Sequence, residues 1–144
     1  MEVTRQGIRL FWVGVAAMLV AGCAGLGIGD NAARVTLTGA EQNPPVTTSA
    51  SGTGSFSINS NRVISGSVTT SGMTGTAAHI HTGAKGSNGP VTIPLVKTGD
   101  NTWSVPPNTR VTDAQYEDFR AGKLYVNVHS AQHKPGEIRA QIRP

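Results

Sequence analysis

"KLYVNVHSAQHKPGEIRAQI", residues 123–142, decides the fold class. Two alternating runs flank a connector that ends in the turn-forming pair Pro135-Gly136. Successive side chains of a strand point to opposite faces. Leu124, Val126 and Val128 therefore share one face, and Tyr125, Asn127 and His129 the other. On the second run Ile138, Ala140 and Ile142 face inward, while Glu137, Arg139 and Gln141 face outward. This pattern predicts an antiparallel hairpin.

The same grammar extends upstream. "RVTLTG" (34–39), "GTGSFSINS" (52–60), "RVISGSVTTSG" (62–72), "TAAHIHTG" (76–83), "VTIPLVKTG" (91–99) and "NTWSVP" (101–106) are rich in Val, Ile and Thr. Gly, Pro, Asn and Ser separate them. Short strands with frequent turn signals and no strand–helix alternation predict an all-β antiparallel sandwich or barrel. One segment departs from this. In "TDAQYEDFRAGK" (112–123), Thr112 and Gln115 form a capping-box pattern and Gly122 is a stop, which predicts one short helix over 113–121. Tyr116 and Phe119 share its inner face.

The chain has 144 residues, of which 1–22 have the layout of a secretory signal. Arg5 and Arg9 precede an apolar run, Leu10 to Val20, that is shorter than the roughly 20 residues needed to span a bilayer. "VAGC", Val20–Cys23, resembles the lipobox of bacterial lipoproteins, and Cys23 is the single cysteine. That resemblance implies cleavage before Cys23, acylation of its thiol and amine, and stable attachment to a lipid bilayer. With Ala24 next, the implied destination in a Gram-negative cell is the outer membrane. Residues 23–33 then read as a glycine-rich tether and 34–144 as one domain that folds without a disulfide. The net charge is +4, but the cations from Arg34 to Arg143 are scattered and form no aromatic–basic patch, which argues against nucleic-acid binding. The glycine-rich run 82–90 leads into a strand, not a helix, so it is no phosphate cradle. Neither histidine block offers a nucleophile elbow.

Four histidines carry the chemistry. His79 and His81 lie two apart on one strand, so both project from the same face, about 7 Å apart along the chain. His129 has the matching parity on the strand 124–130. If those strands are neighbours, three imidazoles converge beneath the loop "TGAKGSNGP", residues 82–90, and could ligate one ion. By spacing alone, polar decoration of a solvated face explains the pair as well. His133 is a candidate fourth ligand or an exposed loop residue. Met73 is a soft-ligand candidate or a core residue. Glu137 and Arg139 form an exposed ion pair or support the site from behind.

"AAHIHTGAKGSNGPVTIPL" followed by "GKLYVNVHSAQHKPGEIRAQI" closely resembles the chordin-domain (CHRD) family, over about residues 35–143. Ala140 departs from it, standing where the family usually has glycine. Chordin domains are in turn distantly similar to copper/zinc superoxide dismutases. That likeness implies an antiparallel Greek-key β-sandwich or barrel, dismutase-like or immunoglobulin-like, with His79, His81 and His129 at copper-ligand positions. The dismutase's bridging histidine, zinc-loop ligands and disulfide have no counterpart here, so the implied site is copper only. Nitrogen-rich sites favour Cu(II) among divalent first-row ions, with zinc the alternative. The expected function is a membrane-anchored extracytoplasmic protein that binds copper for storage, sensing or tolerance. The alternatives are a module that binds an extracytoplasmic protein without metal, and a copper-dependent superoxide-reactive enzyme.

Overall fold

Nine antiparallel strands and one helix form in the computed structural model, which describes residues 32–144. The signal segment, Cys23 and the tether before Ala32 lie outside the described residues. The strands are β1 (Ala33–Thr38), β2 (Ser51–Ile58), β3 (Ile64–Ser71), β4 (Gly75–Thr82), β5 (Val91–Pro94), β6 (Val96–Gly99), β7 (Thr102–Ser104), β8 (Leu124–Ser130) and β9 (Ile138–Ile142). The helix α1 spans Asp113–Arg120.

The run 91–99, expected as one strand, is split. Pro94 cannot donate to a ladder, and the chain bends at Leu95. The bend has a large consequence for the architecture. The strands lie in the order β5-β4-β8-β9-β1-β2-β3-β7-β6, so β5 and β6 are the two edges of the sheet. Only Leu95 separates them in sequence. The edges must therefore meet, and the sheet curls into a nearly closed barrel. Leu95 N–H donates to Ala78 O at 2.9 Å, carrying the β4–β5 ladder up to the bend. Curling protects edges that an open sheet would expose to pairing with other chains.

With β5 and β6 counted as one bent strand, β4, β5/β6 and β7 are consecutive hairpin-connected strands. The chain then returns through α1 to lay β8 beside β4, which is a Greek key. The predicted capping box is present. Gln115 N–H donates to Thr112 Oγ1 (3.2 Å), and Thr112 N–H donates to Gln115 Oε1 (2.9 Å). Phe119 is buried and Tyr116 packs against the core, so the helix covers one end of the barrel.

The inward parity holds throughout. Leu37, Val68, Ile80, Leu124, Val126, Val128, Ile138 and Ile142 are fully buried, together with Phe56 and Ile64. Each such side chain contributes about 1.5–3 kcal/mol relative to exposure. The ring of strands and the core just named fall within 33–142, so residues 32–144 make a self-contained barrel. Among the described residues no helix is long and apolar enough to cross a membrane.

The expected outward faces of β8 and β9 are covered. Tyr125, Asn127, Glu137 and Arg139 are all buried, because the loop 83–90 and the segment 39–50 fold over this side of the sheet. The parity predicted for these residues is correct; the exposure inferred from it is not.

Candidate metal centre

Strand β4 pairs with β8 so that Ala77 faces His129 and His79 faces Asn127. His129 is thus the diagonal neighbour of His79, and the two rings share a face. His79 Nδ1 lies 3.0 Å from His129 Nε2. His81 follows on the same face, its ring centroid 5.7 Å from that of His79 and 6.2 Å from that of His129. One nitrogen from each ring lies within 4.8 Å of the others. The β4–β5 ladder slips by one residue at Ile80/His81, where Thr92 is extra. Such a bulge re-aims neighbouring side chains.

Hydrogen bonds to carbonyls, which only accept, fix two tautomers. His81 Nδ1–H donates to Gly89 O (3.0 Å), and His129 Nδ1–H donates to Lys134 O (2.8 Å). Both rings therefore carry a lone pair on Nε2. In neutral His129 this lone pair accepts from His79 Nδ1–H. That of His81 has no partner. Among the described residues three buried side-chain polar atoms are unpaired, His81 Nε2, Trp103 Nε1 and Gln141 Oε1, and only the first is a lone pair beside two other imidazoles.

This donor set fits a metal ion. Metal–nitrogen bonds near 2.0–2.1 Å place ligand nitrogens about 3.3–3.5 Å apart in a trigonal or tetrahedral site, which small ring rotations reach from the present spacing. Metal-bound histidines usually donate their other N–H to a carbonyl or carboxylate, as His81 and His129 do here. Burial lowers the pKa of His79 below its ordinary value, and the neighbouring His129 and His81 lower it further. Burial likewise depresses His81, against the opposing bond to Gly89, with His129 and Arg139 adding to the depression. Both shifts favour the neutral ring, the form that ligates.

Behind the centre lies a stack. The Tyr125 ring is parallel to that of His81, and the Arg139 guanidinium carbon is 3.5 Å from the Tyr125 centroid. Arg139 also donates to Ser87 O (2.9 Å), Asn88 Oδ1 (3.2 Å) and Ala84 O (3.4 Å), gathering the glycine-rich loop around its charge. Gly89 closes the circuit. Its N–H donates to Tyr125 Oη at 3.0 Å while its carbonyl holds His81. A Cβ at position 89 would stand 1.7 Å from Thr82 O, so only glycine lets the loop approach this closely. At Gly136, φ is +136° and a Cβ would strike the Asn127 amide, so the β8–β9 connector passes directly over the strand.

The CHRD-domain family model matches residues 33–142. The chain belongs to the CHRD-domain family. No curated protein and no solved structure matches it. In this CHRD domain the expectation of an exposed Glu137–Arg139 ion pair is overturned. Arg139 is 1% exposed and bonds carbonyls, while Glu137 accepts from Thr48 Oγ1 at 2.7 Å. Burial opposes ionisation of Glu137, but hydrogen bonds from Ser130 and Thr48 and the charge of His133 outweigh it and lower its pKa.

His133 lies outside the group of three. It is half-buried in the connector and borders a cavity of about 330 Å³ beside His81, Asn88, Tyr125 and Asn127. Met73 packs against the core of the CHRD domain. Sequence reading missed Tyr125 and Gly89. The matching parity of Tyr125 and Arg139 on adjacent strands was the signal for the first; nothing local signals the second.

Proposed function

We propose that this CHRD domain is a lipid-anchored, extracytoplasmic metal-binding protein whose three-histidine centre takes Cu(II). The observation that carries the reading is the buried, unpartnered Nε2 of His81 beside the ring nitrogens of His79 and His129. A buried lone pair without a donor costs about 1–3 kcal/mol, and a cation at the focus of the three rings relieves that cost. Three imidazoles without a thiolate suit copper(II) above other divalent first-row ions. Bound copper would supply Lewis acidity and a one-electron couple. The chain's own part is to hold neutral imidazoles in place and to fix two tautomers through Gly89 and Lys134.

Binding, storage or sensing is favoured over superoxide turnover. The cation that could have guided an anion to the centre, Arg139, is buried behind Tyr125 and committed to loop carbonyls. Anchoring rests on the sequence of the signal segment and on "VAGC".

The test is metal analysis of residues 32–144 after titration with Cu(II) and Zn(II). One tightly held copper, lost in His129→Ala, is the expected result. Uptake unchanged in His79→Ala/His81→Ala would overturn the site. Mass spectrometry of the membrane-extracted chain tests the acyl groups on Cys23.

A further inference from the structure

The chain enters the barrel at Ala33. Strand registers put this entry at the same end as the close of β9, the β4–β5 loop and the α1–β8 turn. Five exposed cations gather there: Arg34, Lys85, Arg120, Lys123 and Arg143. A groove of about 430 Å³ is lined by Lys85, Arg120, Lys123 and Arg143. A second, of about 390 Å³, shares Lys85 and Arg143 and adds Arg34.

The groove is built rather than accidental. Gln141 Nε2 donates to the carbonyls of Gly83 and Gly122, each at 2.8 Å, and Gly83 N–H donates to Lys123 O at 2.7 Å. These bonds clamp the two walls together. Among the described residues the ion pairs of the five cations are Lys85–Glu41 (3.0 Å) and Arg120–Glu117 (3.7 Å). Both are solvated pairs of small worth, and Arg34, Lys123 and Arg143 form none among the described residues.

We propose that this basic end is a docking surface for an anionic phospholipid bilayer, on which the domain stands with its histidine centre turned away. Charge complementarity is the first argument: clustered exposed cations gain roughly fivefold in partition each at an anionic surface. Place is the second. The polypeptide leading back to Cys23 leaves from this end, and the ten steps from Cys23 to Ala33 reach at most about 35 Å. An acylated Cys23 would hold the grooves at high effective concentration above the headgroups. Orientation is the third. Strand β8 runs from Leu124 at the basic end to Ser130, which puts His129 about 17 Å further along the strand. The proposal rests on the anchored reading for its setting, whereas the groove's electrostatics can be tested without the anchor.

The experiment is co-sedimentation of residues 32–144, which lack Cys23, with vesicles of phosphatidylcholine alone or with about 30% phosphatidylglycerol. The expected result is strong preference for anionic vesicles in low salt, with loss in high salt. Arg120→Glu/Lys123→Glu/Arg143→Glu should lower partition by about 100-fold or more. Lys97→Glu/Lys134→Glu, with both cations away from this end, should leave it within a few-fold. Circular dichroism confirms that both variants fold. Equal binding to the two vesicle types, no binding to either, or equal loss in both variants would overturn the proposal. So would displacement by millimolar inorganic phosphate beyond the effect of sodium chloride at the same ionic strength, which would mark a discrete phosphate site. Absence of acyl groups on Cys23 would instead remove the anchor and leave the vesicle result standing.

Discussion

The ring of Tyr125 lies face to face with the imidazole of His81, centroids 4.8 Å apart and planes inclined by 8°. The Arg139 guanidinium stacks on the same tyrosine, and two groups this close cannot occupy one face of a ring. Tyr125 is therefore sandwiched, and its hydroxyl meets the Gly89 peptide that holds His81. Removing the hydroxyl and removing the ring should separate these roles. Tyr125→Phe keeps the stack and is expected to weaken copper affinity a few-fold; Tyr125→Leu should weaken it about tenfold or more. Competitive titration against a chelator measures both. Equal affinities in the wild type and both variants would show that the tyrosine does not position His81.

Arg139 is a buried cation that the described structure compensates with carbonyl dipoles, an amide oxygen and a ring face in place of a carboxylate. Arg139→Ala should cost about 2–4 kcal/mol, because it leaves buried acceptors unpaired and removes the cation–π contact. Arg139→Lys should be intermediate, since an ammonium cannot reproduce the planar fork. Urea denaturation measures both. A change within about 0.5 kcal/mol in Arg139→Ala would contradict the buried arrangement.

Gly89→Ala probes the loop's close approach. The added methyl cannot fit against Thr82 O, so the loop must move and Gly89 O must leave His81 Nδ1. Copper affinity is expected to fall about 10–100-fold, the usual effect of losing a partner that orients a ligand. Nearby Gly86 has open space at its Cβ position, although its φ of +78° strains any side chain there. Gly86→Asn, a residue that tolerates this region, should leave affinity unchanged and serves as the control.

The pH dependence of the metal-free domain follows from His79 and His81. Their folded-state pKa values lie below the ordinary 6.5. Below about 6.5 the unfolded chain binds protons that the folded chain does not, so stability falls as pH drops through this window and is flat above it. Glu137 adds a separate loss below its ordinary 4.5. Thermal melts from pH 8 to 3 should show both losses, and His79→Ala/His81→Ala should remove the upper one. Copper affinity should fall through the same upper window as protons compete for the rings. An upper step that persists in the double variant would assign it to other groups.

The sequence alone determined the strands apart from the break at Leu95, the helix with its capping box, and the shared face of His79 and His81. These depend on local periodicity: a side chain's face follows from its parity, and Thr112 and Gln115 meet within one helical turn. It also pointed to His129 by parity, provided that β4 and β8 are neighbours. Their pairing belongs to tertiary structure, since Ala77 and His129 are distant in sequence. So does closure of the barrel at Leu95, which joins two sheet edges that no local pattern identifies as edges. Burial of Arg139, Glu137 and Tyr125 was equally illegible. Alternation says which way a side chain points, but only the fold says whether the loop 83–90 comes back to cover it, and that covering made the outward face of β9 a buried support for His81.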